Sequence, residues 1–174
     1  GEMTEARSYY SSVFYSNCLL SLVIAVLSAA AILYLEHLVR ISPHLVVDVK
    51  NLFSLLVINS IIGLVFNVHG VAPFITNRLD LASWVGIGYN LVRGILIFIS
   101  FVLLPPKLTY YGYSAFVAAV FSAYATIHVA KVLLPDFVVQ RRYFDIKRVI
   151  ELIQSGGWNL MNKLSDLLST GFDL

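Results

Sequence analysis

Long apolar stretches alternate with short polar breaks along most of this chain, and the breaks carry the prolines. Four runs, from about Val13 to Val39, Val46 to Phe66, Leu81 to Leu104 and Tyr113 to Leu134, reach the roughly 20 helical residues that cross a bilayer core. Pro43, Pro73, the Pro105–Pro106 pair and Pro135 sit at or between the ends of these runs. Proline there stops one helix and lets the chain turn before the next. The breaks around 40–45 and 105–110 are short, so consecutive helices are expected to be antiparallel neighbours. The pattern predicts an all-α, polytopic transmembrane helix bundle over residues 1–135.

The period changes after Pro135. In "QRRYFDIKRVIELIQ", Asp145 precedes Ile146, Val149, Ile150 and Ile153, which share one side of a helix. Residues 136–156 therefore read as a cytoplasmic or interfacial amphipathic connector. It leads to a last segment, 157–174, with a different pattern again. At 100° per residue, Asn159, Asn162, Lys163, Asp166, Thr170 and Asp173 fall on one face, with Leu160, Leu164, Leu167 and Leu168 opposite. A charge at mid-bilayer costs roughly 2.5–3.5 kcal/mol, so a spanning helix with such a stripe must turn it toward water or other polar helices. A helix lying on the membrane surface is the competing reading. The single lysine and two aspartates argue against it, since surface helices carry mainly Lys and Arg on the polar face. The reading adopted is a span lining a hydrophilic cavity, with Lys163 and Asp166 spaced to pair.

Composition turns pattern into solvent. The 174 residues are 59% hydrophobic and 13% charged, with a mean hydropathy of +0.82, which is too apolar for an ordinary soluble domain. A net charge of +2 with no basic stripe gives no footprint for nucleic acid. Cys18 is alone inside an apolar run, which excludes a disulfide framework or cysteine metal cluster. No phosphate-binding glycine loop, His-Glu-x-x-His pair or nucleophile elbow is present. No catalytic residue, metal ligand or cofactor is assigned, and the chain is not expected to be an enzyme. With the first residues inside, Arg7, Arg78, Arg141, Arg142, Lys147 and Arg148 are cytoplasmic, against Arg40, Lys50 and Lys107 outside. That bias favours this orientation, with residues 1–12, 68–80 and 136–156 facing the cytoplasm. Tyr9, Tyr10, Tyr110, Tyr111 and Tyr113 flank spans as aromatic belts do. A start without methionine and an end within an apolar segment read as an internal piece of a longer protein.

Three stretches carry a family resemblance. "YFDIKRVIEL" followed by "SGGWNLMNKLSDLL" resembles the entrance to the second half of a Wzx-type O-antigen or capsule flippase, of the MOP superfamily that includes the MATE antiporters. "NRLDL", from Asn77 to Leu81, is similar to that family's entry to its fifth helix, and "EARSYYSSVFYS" to the entry to its third. The resemblance implies that 1–135 supplies four helices of an N-terminal bundle and that 157–174 begins the C-terminal bundle. It further implies a bacterial inner-membrane flippase that moves undecaprenyl-pyrophosphate-linked oligosaccharide for O-antigen, capsule or exopolysaccharide synthesis. Membrane lipids and a polysaccharide polymerase machinery are its expected partners, and a proton or sodium gradient would supply any energy coupling. Arg93, Asn159, Lys163, Asp166 and Asp173 are the substrate-path candidates, and Glu36 with His37 the candidates for ion coupling.

Structural roles stand beside these assignments. Arg93, in the middle of the third run, either faces substrate or pairs with Asn90 or backbone carbonyls. Glu36 and His37 can reach water from a span end, as can His128 and Lys131. Arg78 and Asp80 suit a membrane boundary. Asn17, Asn59 and Asn67 suit interhelical hydrogen bonds, and Gly86, Gly88 and Gly94 suit close packing of helices. A lipid II flippase, a multidrug antiporter, a membrane-embedded glycosyltransferase or polymerase, and a small four-helix scaffold remain as rival functions.

Overall fold

The computed structural model describes residues 2–38, 42–105 and 107–154. All regular elements among them are helical, in an all-α, polytopic membrane fold. Helix α1 runs Glu2–Leu33 and the single turn α2 Leu35–Leu38; α3 is Val46–Phe66, α4 Ala72–Ile75, α5 Leu79–Leu103 and α6 Thr109–Leu133. A seventh helix, α7, covers 146–154. Among the described residues, four helical stretches are long and apolar enough to cross a membrane: Met3–Leu33, Pro43–Ile75, Leu79–Leu103 and Thr109–Leu133.

The second run is helical over the residues expected, but the first helix sets out from Glu2 rather than near residue 13. At 1.5 Å per residue its 32 residues extend about 48 Å, well beyond a core of about 30 Å. Hydropathy alone detects only the apolar part of such a helix. The break at 68–80 is also narrower than expected. The chain stays helical through the 3₁₀ segment Asn67–Val71 and α4, with Pro73 in the first turn of α4. Proline is tolerated there because the first helical N–H groups have no partner in any case. Reversal is confined to Thr76–Arg78, where Asn77 has φ 54°, a left-handed conformation that asparagine tolerates better than most residues. Arg78 then pairs with Asp80 in the first turn of α5, at 3.0 Å.

The residues form two compact units, Asn17–Phe137 and Gly1–Ser16 with Val138–Leu174. In the first, α6 is the central helix, packed against both α3 and α5. Its buried residues are small: Thr109, Gly112, Ser114, Ala115, Ala118, Ala119 and Ala130. Lipid solvates leucine as well as another helix does, so membrane helices associate where small side chains let backbones approach. Gly112 faces Leu55 and Leu52 so closely that an added Cβ would stand 3.0 Å from Leu55. Of the three glycines expected at close contacts, only Gly88 has one, to the Phe121 ring; Gly86 and Gly94 face open space. Periodicity put all three on one helix but could not say which side meets α6. The large apolar residues of α5 look outward, with Trp84 68% and Phe98 70% exposed, as suits a lipid-facing surface.

Polar contacts also tie the spans. Asn17 on α1 donates to the Leu64 carbonyl of α3 at 3.0 Å, in the interhelical role expected of it. Asp48 on α3 caps α6, a helix without a side-chain cap of its own. Its carboxylate accepts the Leu108 N–H at 2.7 Å and the Thr109 N–H at 3.1 Å, together with the Thr109 hydroxyl. These bonds fill part of the unpaired donor set at the helix start, and the negative charge suits that end of the dipole.

In the other unit, the segment before α7 is strapped to the start of α1 by serines. Ser8 donates to the Tyr143 carbonyl at 2.9 Å, Ser11 accepts the Gln140 N–H at 3.3 Å, and Ser12 accepts the Asp145 N–H at 3.0 Å. Ser11 and Ser12 are wholly buried. Positions 8, 11 and 12 share one helical face, and serine is small enough to let the backbone of the strap lie against it. Tyr15 adds an edge-on contact to Phe144, with ring centres 5.9 Å apart. Asp145 caps α7, accepting the Lys147 N–H at 2.9 Å, and the predicted amphipathic helix follows. Ile146, Ile150 and Ile153 are exposed along it.

Candidate functional site

A cleft of about 380 Å³ opens among α3, the 3₁₀ segment after it, α5 and α6. Its size follows from side-chain choice: Gly63, Gly70, Ala119 and Ala123 leave room that larger residues would fill. Asn59, Ser60, Asn67, Tyr89, Ser122 and Thr126 also line it. These groups are polar and uncharged, and amides and hydroxyls both donate and accept hydrogen bonds. Ile62 and Phe66 supply apolar surface beside them. Such a cleft can hold a neutral, hydroxyl-rich group by hydrogen bonding, with apolar walls limiting competition from water. No cluster of three or more His, Cys, Asp or Glu side chains that could hold a metal occurs among the described residues.

The sequence singled out Asn59 and Asn67 as interhelical partners; the structure places both on the cleft wall. Tyr89, Ser122 and Thr126 were missed. Ser122 and Thr126 lie four residues apart on one face of α6, but only the packing of α5 against α6 brings Tyr89 to the same opening.

Arg93 does not line this cleft. Its guanidinium lies over the Tyr111 ring, 4.6 Å from the centroid, and donates to the Tyr111 hydroxyl. The stacking and hydrogen bond together join the middle of α5 to the first turn of α6. The neighbour weighed from sequence, Asn90, is engaged elsewhere and donates to the Gly86 carbonyl at 3.0 Å. Glu36 pairs with Lys50 at 2.5 Å, and the hydrogen bond from Lys50 holds its carboxyl below the ordinary value of 4.5. His37 meets the Tyr34 ring edge-on at 6.4 Å. Asn159, Lys163, Asp166 and Asp173 lie outside the described residues.

The structure thus defines a polytopic helical membrane protein with an uncharged polar cleft between three of its helices. The chain is similar to the uncharacterized membrane protein EpsK of Bacillus subtilis (strain 168), with 26% identity over 176 aligned positions. The alignment covers 100% of this chain and 34% of that protein, so the chain spans about a third of the length of the relative. No protein-family model matches the sequence, and no solved structure does.

Proposed function

We propose that the chain forms part of a transporter that carries undecaprenyl-pyrophosphate-linked oligosaccharide across the bacterial inner membrane, in the manner of a Wzx-type flippase. The cleft carries this reading. Six hydroxyl or amide side chains converge on one opening in a bundle whose other surfaces are largely apolar. Sugar hydroxyls match that lining in chemistry, and its lack of charge suits a neutral glycan. The resemblance of "NRLDL" and "YFDIKRVIEL" to flippase helix entrances agrees with it, as does similarity to a membrane protein along the entire chain.

The test is glycan export by the full-length protein carrying Asn59→Leu or Thr126→Val. Each removes hydrogen-bonding capacity from the wall while adding no charge. A lost hydrogen bond is worth about 1 kcal/mol, so each variant should lower export roughly five-fold at unchanged membrane abundance, and the pair more. Unchanged export in the double variant would overturn the reading. So would a fall that only tracks loss of protein from the membrane, which would make the polar wall a helix-packing surface.

A further inference from the structure

The serine strap presents cations that no described carboxylate neutralises. In the unit formed by Gly1–Ser16 and Val138–Leu174, Glu5, Asp145 and Glu151 are already engaged. Arg148 is bound by Glu5 and, at 3.4 Å, by Glu151; it also donates to the Tyr9 hydroxyl at 2.7 Å and lies over the Tyr9 ring. Asp145 caps α7. Arg7, Arg141, Arg142 and Lys147 form no ion pair among the described residues.

Two of these cations flank one aromatic residue: Arg142 precedes Tyr143, and Arg7 precedes Ser8, which donates to the Tyr143 carbonyl. Arg142 donates to the Tyr143 hydroxyl at 2.6 Å and covers its ring at 4.6 Å. That hydrogen bond is the main influence lowering the Tyr143 phenol below its ordinary pKa; burial opposes it, and the positive charge of Arg7 adds to it. The Arg7 Nε is buried without a hydrogen-bond partner. Two guanidinium groups near one phenol repel each other, and an anion between them removes the repulsion while accepting charge-assisted bonds. The same segment exposes Phe144, Ile146, Ile150 and Ile153. Exposed apolar side chains next to unpaired arginines are the pattern of a segment lying in the headgroup layer.

We propose that Arg7 and Arg142, with Tyr143 between them, seat the phosphate of an anionic glycerophospholipid headgroup, while Phe144 and the α7 isoleucines enter the acyl region beside it. The strap then fixes a lipid to the start of α1, because Ser8, Ser11 and Ser12 hold the arginine-bearing backbone there. A free phosphate would leave the apolar side chains unused, so a bilayer lipid is the occupant assigned.

The experiment places the chain in phosphatidylcholine nanodiscs with trace spin-labelled phosphatidylglycerol or spin-labelled phosphatidylcholine, and measures the motionally restricted fraction of each. Phosphatidylglycerol should be preferred, with each arginine contributing about five-fold, and added salt should shrink the preference. Arg7→Gln with Arg142→Gln should abolish it at unchanged helical circular dichroism, whereas Lys107→Gln should leave it intact. Equal fractions of the two lipids in the unmodified chain would overturn the proposal. So would a preference that survives the double substitution, or displacement of the labelled lipid by excess inorganic phosphate, which would assign the seat to a soluble anion. The lipid comparison and salt titration on the unmodified chain decide the matter even if the double variant misfolds.

Discussion

Asp48 shows how a single carboxylate can join two helices. Hydropathy would mark it as an isolated acid near the start of an apolar run. In the fold it accepts the Leu108 and Thr109 N–H groups at the start of α6, so one side chain both caps a helix and fixes its height against α3. Loss of a side-chain N-cap costs about 0.5–2 kcal/mol. Asp48→Ala should therefore lower the thermal midpoint in detergent by a few degrees, at roughly 2–4 °C per kcal/mol for a chain of this size. Asp48→Asn, which keeps an acceptor oxygen, should lose less. An unchanged midpoint for Asp48→Ala would mean that water or detergent satisfies these donors equally well. Arg93 finds its neighbour at the same scale: an aromatic face and a hydroxyl on α6 stand against its guanidinium within the span.

Among the elements, α6 holds the bundle of spans together through smallness. Its Gly112 meets Leu55 at the limit of contact, while Gly86 on α5 faces open space. Valine at position 112 must push α3 away or force strained rotamers, which costs typically 1–3 kcal/mol. Valine at position 86 should change stability by no more than about 0.5 kcal/mol, as surface substitutions usually do. Thermal unfolding of Gly112→Val and Gly86→Val in the same detergent compares them directly. Equal loss in both would contradict the assignment of α6 to the centre. The strap is the corresponding device in the other unit, with serine in place of glycine because hydrogen bonds to backbone, rather than contact alone, hold it there.

For the whole molecule, the distribution of lysine and arginine makes a prediction that the helices alone cannot. With six of nine loop-associated cations on one side, residues near 140 should face the cytoplasm, and residues 42 and 109 the opposite side. Single cysteines at Gln140, Ser42 and Thr109, with Cys18 replaced, can be probed from outside intact cells with an impermeant maleimide. Positions 42 and 109 should label and 140 should not. The reverse pattern would invert the topology, and would place the arginine seat at the outer leaflet.

The four spans among the described residues, most of their limits and the presence of a helix after Asp145 were legible along the chain, because each depends on hydropathy and periodicity over many neighbouring residues. Ser8, Ser11 and Ser12 share one face only because α1 sets out from Glu2, ahead of the apolar run, and nothing local said that residues 140–145 would cover it. The polar cleft was less legible still: Asn59, Tyr89 and Thr126 belong to three different spans, and each by itself resembles an ordinary polar residue in a membrane helix. Glycine was equally ambiguous, since Gly86, Gly88 and Gly112 differ only in what stands opposite. The sequence by itself determined which segments are helical and which solvent they require, because backbone hydrogen bonding and apolar burial in lipid act along the chain. Tertiary structure alone decided which helix lies at the centre, which small residues are contacts, and which isolated polar groups share a site. Those depend on distances between residues remote in sequence, and packing geometry sets them.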